Sequence, residues 1–298
     1  MLHVKKKYDL KEGQTLWIAP FNDIHYNTEE CDKERFHRYI EWGVKKLKSG
    51  DLIAGIGLGD YNDFQSPSER ASDNSANRGF GKHETTLKEY DKLVERITTE
   101  FANVMLPWKG SIMGLQEGHH YGCYSAFFRK AYRGASNTEH LADLLGTTYV
   151  GQLGLYHLDL GHGLEFRILG AHGYGGARTP GARVIKRVAM NQVFEANLYL
   201  MAHDNTKMAI SDNCLIYDKD DNYVVKKRTY CGTGSFQRAY PPNTPSGGYV
   251  EALLLPPSDL GAVITSIRKE KRNGKYRIDW HTSVGILLSL GVLCQAAL

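Results

Sequence analysis

The sequence predicts an α/β fold, and three observations predict it. Apolar runs of strand length alternate with amphipathic runs of helical spacing from residue 15 to about residue 205. A chain of 298 residues permits one large unit with a sizeable buried core without demanding two. Hydrophobic residues at 42% and charged residues at 23% are ordinary globular values, which excludes wholesale disorder.

Along the chain, Thr15-Leu16-Trp17-Ile18-Ala19 reads first, as a buried strand. Cys31 to Lys48 reads as a helix, because Phe36, Tyr39, Ile40, Val44 and Leu47 recur at helical spacing and Gly50 stops it. Leu52 to Leu58 is the second strand. Residues 64 to 84 are polar and read as a long loop. Thr86 with Glu89 resembles a capping box opening a helix to about Met105. Pro107 and Gly110 separate it from a strand at Ser111 to Leu115. A helix covers roughly Thr138 to Leu145, closed by Gly146. Leu164 to Leu169 alternates as a strand, Ala182 to Ala196 reads as a helix, and Leu198 to Met201 is a further short strand. Beyond residue 206 the pattern is β-rich, with turns at Asp218 to Asn222 and at Asn273-Gly274.

Residues 1–283 read as a single domain, with an apolar C-terminal tail over 284–298. That tail has 15 residues, short of the ~20 that span a bilayer. It reads as a buried or docking segment, and no membrane association is expected. The N-terminus lacks an apolar core of signal-peptide length. Five cysteines at positions 31, 123, 214, 231 and 294 contain no CxxC pair, so neither a disulfide framework nor a thiolate zinc site is indicated. A reducing, cytoplasmic setting is expected. The charge sum of 37 basic and 33 acidic residues is +4, too small for an electrostatic nucleic-acid stripe by itself.

The informative regularity lies in the residues just past each apolar run. The first run leads into Asn22-Asp23-Ile24-His25 and the second into Gly59-Asp60-Tyr61-Asn62-Asp63. The third leads into Glu117-Gly118-His119-His120, the fourth into Gly170-Ala171-His172-Gly173, and the fifth into Ala202-His203-Asp204-Asn205. In α/β sheets, sites form where loops leave the carboxyl ends of strands. Aspartate and neutral histidine suit manganese, iron or zinc. Two cations bridged by a carboxylate suit phosphate ester hydrolysis by an activated water.

This order and spacing resembles the calcineurin-like metallophosphoesterase family, whose pattern runs DxH, GDxxD, GNH with an acid, a lone His, then GHxH. The resemblance covers about residues 15 to 205. It implies two packed mixed β-sheets flanked by helices, a four-layer sandwich. It also implies two divalent metal ions, manganese first, with iron, zinc or magnesium as the others. By resemblance, Asp23 and His25 hold the first metal and Asp60 bridges both. Asp63 is a supporting residue behind the ligands, and His172 and His203 hold the second metal. Two motifs depart. Where the family has GNH, this chain has Gly118-His119-His120. His119 then replaces an Asn ligand, and His120 is the catalytic proton donor or transition-state stabiliser. A register slipped by one makes His119 catalytic and puts Gly118 in the ligand position. The first register is preferred because Gly118 supplies the motif's glycine. In the last motif, Asn205 stands in place of a His ligand, and Asp204 compensates if its loop turns.

Other residues have weaker claims. Arg183, Lys186 and Arg187 either face a nucleic-acid backbone or are a solvated face. Arg78 and His83 in the long loop are candidates for a substrate phosphate. Tyr121 and Tyr124 either stack on a base or pack in the core. The segments Thr233 to Phe236, Ser246 to Glu251 and Pro256-Pro257 are similar to phage-type members of the family. The resemblance to repair-exonuclease-like members implies a nuclease or phosphodiesterase acting on DNA or RNA, in a host cytoplasm if viral. The alternative is a non-catalytic binding or structural protein retaining a degenerate form of the fold. Oligomeric state is left open.

Overall fold

A computed structural model describes residues 2–70, 83–125, 136–218, 221–240, 249–252 and 254–285. Two six-stranded sheets form its centre. The first contains β1 (Leu2–Lys7), β6 (Leu153–Asp159), β7 (Glu165–Ala171), β8 (Leu198–Met201), β10 (Tyr223–Thr233) and β9 (Lys207–Tyr217), in that spatial order. The second runs β12 (Lys275–Ser283), β11 (Ile264–Arg272), β2 (Thr15–Phe21), β3 (Leu52–Gly57), β4 (Ile112–Gln116) and β5 (Thr148–Gly151). Both are mixed. The strands β2, β3, β4 and β5 are parallel, whereas β11 and β12 add antiparallel at one edge.

The packing explains the apolar periodicity. On β2, Leu16 and Ile18 face a core shared with Tyr156, Phe166, Ile168 and Leu200 of the opposite sheet. Alternate residues Ala19 and Phe21 face outward, under helices α1 (Lys33–Lys48), α2 (Glu84–Met105) and α3 (Asn137–Leu145). On the far side, Leu169, Tyr199 and Tyr230 are covered by the segment that includes Met190 and Ala196, just after α4 (Pro180–Val188). The result is a four-layer α/β sandwich of two mixed sheets flanked by helices, as the family resemblance implies.

Several local expectations need correction. Helix α2 begins before the expected capping box: His83 Nδ1 accepts the Thr85 amide at 3.3 Å, and Glu84 pairs with Lys88 at 2.6 Å. An acidic residue in the first turn suits the helix dipole, so that turn is retained. The expected helix at Ala182 to Ala196 divides. Thr179 caps α4 at its N-terminus, and after Val188 the chain tightens into a 3₁₀ turn over Ala189–Gln192. Strands β1, β5 and β6 lacked a readable signal. Arg78 and all but Val284 and Gly285 of the apolar tail lie outside the described residues. Among those described, no helix is long and apolar enough to cross a membrane.

Candidate metal centre

All five loops predicted to meet do so. Asp23 and His25 follow β2, Asp60 and Asp63 follow β3, and His119 and His120 follow β4. From the other sheet, His172 follows β7 and His203 follows β8. Three triads of donors each lie within 4.8 Å: His25 with Asp63 and His120, Asp23 with Asp60 and His172, and His119 with His172 and His203. The rings of His119 and His203 are 4.6 Å apart, those of His119 and His172 4.8 Å, and those of His25 and His120 5.0 Å.

Asp60 joins the triads. Its Oδ1 accepts the amides of His119 at 2.6 Å and His120 at 2.8 Å, which fixes the carboxylate. Its Oδ2 is thereby turned toward His172 Nε2 at 3.1 Å and His25 Nε2 at 3.9 Å. This approach depends on Gly118, where a Cβ would sit 2.0 Å from Asp60 Oδ1. Gly59 is equally constrained: it has φ +98°, and a Cβ there would meet the Gly118 Cα at 2.5 Å. The two motif glycines let the β3 and β4 loops lie against each other.

The histidine tautomers are set from behind. His172 Nδ1 lies 2.7 Å from the Leu58 carbonyl, so it carries the proton and leaves Nε2 with a lone pair. That Nε2 is buried and forms no aligned hydrogen bond, although the carboxylate oxygen of Asp60 is 3.1 Å away. Two acceptors at that distance call for a positive charge shared between them. Without a metal the charge is a proton. Burial pulls His172 down, but Asp60 and Asp23 outweigh it and raise its pKa to about 9. A divalent cation meets the same demand, so the donor set fits one.

Asp63 holds His25 Nδ1 at 3.1 Å and His120 Nδ1 at 2.9 Å with its two oxygens. Burial opposes its charge, but these histidine contacts keep its carboxyl well below the usual carboxylate range. His120 is raised: burial lowers it, and Asp63 and Asp60 more than compensate. His203 is pulled down to about 3 by burial and by His172 and His119, and His119 is lowered mainly by burial. Both therefore stay neutral, the form in which imidazole ligates. Buried Asp23 is pushed up by desolvation, whereas Asp60 is held well below its ordinary value, against burial, by His172, His25 and His120.

The last motif is less complete. Asn205 Oδ1 is buried with no hydrogen-bond partner, and no hydrogen bond links that side chain to the cluster. Asp204 does not turn in to compensate. Its Oδ1 pairs with Arg187, and both side chains are almost fully buried. Arg187 is therefore neither a solvated residue nor a contact for nucleic acid. Tyr124 is buried, with its hydroxyl 2.7 Å from His140 Nδ1, while Tyr121 lies under the Arg70 guanidinium at 3.8 Å. His83 serves as the α2 cap.

Sequence reasoning gave no role to several supporting residues. Asn22 Nδ2 donates to Asp23 Oδ2 at 2.6 Å and to the Gly234 carbonyl at 2.8 Å. The Ser235 hydroxyl donates to the Asp23 carbonyl at 3.0 Å. Arg70 donates to the carbonyls of His119 at 2.7 Å and Tyr121 at 3.1 Å. Glu117, buried beside the cluster, accepts from Ser136 at 3.0 Å, Thr138 at 2.9 Å and Tyr149. Adjacency to a motif was the available signal for Asn22 and Glu117. Ser235 was marked only as part of the Thr233 to Phe236 segment, and Arg70 carried no signal.

No family profile and no curated protein matches the chain. Among solved structures, it is similar to Vacuolar Protein Sorting 29 from Cryptosporidium parvum, at 12% identity and a TM-score of 0.34. That match covers 92% of this chain and 99% of the other. A Vps29 double mutant from Entamoeba histolytica matches at 11% identity and a TM-score of 0.27, covering 76% of this chain and 98% of the other. Likeness at this level says nothing about function, which must be read from the site itself.

Proposed function

We propose that the chain is a dinuclear-metal phosphoesterase that hydrolyses phosphodiesters of nucleic acid. The observation that carries this is the approach of Asp60 Oδ2 to His172 Nε2 and His25 Nε2, which places one carboxylate oxygen between two groups of donors. Asp23, His25 and Asp60 hold one divalent ion. Asp60, His119, His172 and His203 hold the other, and the unpartnered amide oxygen of Asn205 is a further candidate for the first. Two such ions supply Lewis-acid polarisation of the phosphoryl oxygens and an activated water.

The chain's own residues do the rest. Asp63 keeps the His25 and His120 protons at Nδ1, which turns His25 Nε2 toward Asp60 and favours the protonated form of His120. His120 then offers an Nε2 proton to the departing oxygen, the role of a general acid. Asp60 stays ionised, and His119 and His203 stay neutral, so each has the charge state that ligation requires.

The test incubates purified protein with manganese and single- or double-stranded DNA, and with bis-p-nitrophenyl phosphate, while metal per chain is measured by elemental analysis. Two ions per chain are expected, with turnover lost in His120→Ala at unchanged metal content. Near-zero metal after manganese loading overturns the reading and favours the alternative, a non-catalytic protein on the same fold. The incomplete last motif at Asn205 is the observation on that side.

A further inference from the structure

The segment that leaves the cluster after His172 has an unusual composition. From Gly173 to Phe194 there is no aspartate or glutamate, while Arg178, Arg183, Lys186 and Arg187 fall within it. Arg187 is consumed by Asp204, and the Arg183 Nε is held by the Ala177 carbonyl at 2.9 Å. Lys186 is different. Its ammonium sits 5.2 Å from the centroid of the Tyr174 ring, and among the described residues its one hydrogen bond is a long contact, 3.3 Å, to the Gly175 carbonyl. One of its three donors is so used.

Tyr174 is the more telling residue. It lies two positions after a buried candidate ligand, yet it is 69% exposed. The loop that carries it is seated tightly: a Cβ at Gly173 would lie 3.0 Å from Met201 Cγ and 3.4 Å from His203 Cβ. Glycines at 173 and 175 take φ of +102° and +62°, so the turn presenting the ring is built by residues that tolerate those torsions. An exposed aromatic ring backed by a cation, against the turn that carries His203, has the chemistry of a base-stacking platform next to a phosphate contact.

We infer that Tyr174 and Lys186 form a substrate rim that takes one base of a single-stranded nucleic acid on the open face of the ring and the adjoining phosphate on the ammonium. The inference rests on the phosphodiester reading of the adjacent cluster and narrows its substrate. Bases in a duplex are stacked on each other and are not free to lie on the ring, so single strands are preferred.

The experiment measures binding by fluorescence anisotropy in EDTA, using a labelled oligothymidylate and the same strand with abasic sites. Tyr174→Ala should weaken binding of the oligothymidylate about tenfold and leave the abasic strand unchanged, whereas Tyr174→Phe should bind as wild type. Lys186→Gln should reduce the salt dependence by about one phosphate contact. Equal binding of both strands by the wild type overturns the inference, as does a Tyr174→Ala loss that is the same on both. Because binding is read without metal, absence of hydrolysis under manganese counts against the catalytic reading alone.

Discussion

Asp23, His25, Asp60, His203 and Asn205 all have positive φ, between 45° and 73°, and all lie in the loops of the candidate site. Each such backbone costs on the order of 1–3 kcal/mol unless its surroundings enforce it. Here they are enforced by hydrogen bonds such as those from the Ile24 and His25 amides to the Asp60 carbonyl, at 2.8 and 3.1 Å. Gly118→Ala tests how tightly this is built. The new methyl meets Asp60 backbone and carboxylate, neither of which has room to move, so urea denaturation should show a loss of about 1–3 kcal/mol. Manganese affinity should fall with it, and a variant with wild-type stability and affinity would show that the two loops have slack. A second residue sets a pH limit. Buried His140, bonded to Tyr124, has its pKa lowered chiefly by desolvation. A depressed histidine contributes stability above its unfolded pKa of about 6.5, and that contribution is lost as pH falls through the folded value. The melting temperature should therefore drop on acidification below about pH 6.5, with a shallower drop in His140→Gln. Equal slopes would mean that other groups set the limit.

Among the elements, α4 is the one whose role reverses its appearance. Its basic composition suggests a surface for polyanions throughout, yet Arg187, next to Lys186, points into the protein and neutralises Asp204 on the loop that carries His203. The guanidinium also donates to the Arg183 carbonyl at 2.9 Å, so the helix and the site loop share one buried charge network. Arg187→Met strands a buried carboxylate and should cost about 3–5 kcal/mol. Adding Asp204→Leu to that variant should restore much of the stability in thermal melts, because the uncompensated charge is gone. If the double variant is no better than the single one, packing of the Arg187 stem rather than charge is what α4 supplies.

At the scale of the molecule, the donors come from two different sheets. Asp23, Asp60 and His119 leave the second sheet, while His172 and His203 leave the first. A bound cation would therefore tie the sheets together across their common end, and binding should stabilise the whole fold. With manganese at about a hundred times its dissociation constant, the expected gain is about 2.7 kcal/mol. Differential scanning calorimetry should show a higher melting temperature with manganese, reversed by EDTA. Asp60→Asn should fold and lose the shift, since it keeps an oxygen for the His119 and His120 amides but not the charge shared between the donor groups. An unaltered shift in that variant would mean that the ion binds elsewhere.

The parallel strands β2, β3 and β4 of the second sheet were readable because each is buried on both faces and written as a short apolar run, as in Leu16 to Phe21. Strand β1 was not, because Lys5 to Lys7 lie at a sheet edge, where the backbone ladder rather than a hydrophobic pattern defines the strand. The candidate ligands were legible as Asp and His after successive strands, since the carboxyl ends of neighbouring parallel strands must lie side by side. The sequence alone determined which residue types gather at that rim, because strand order in the chain and burial of each strand are local properties. Only the tertiary structure decided that Gly118 is needed for Asp60, that Arg187 goes to Asp204, and that the Asn205 side-chain oxygen finds no partner among the described residues. Those outcomes depend on contacts between segments far apart in the chain, and side-chain direction across such contacts is set by packing, not by the order of residues.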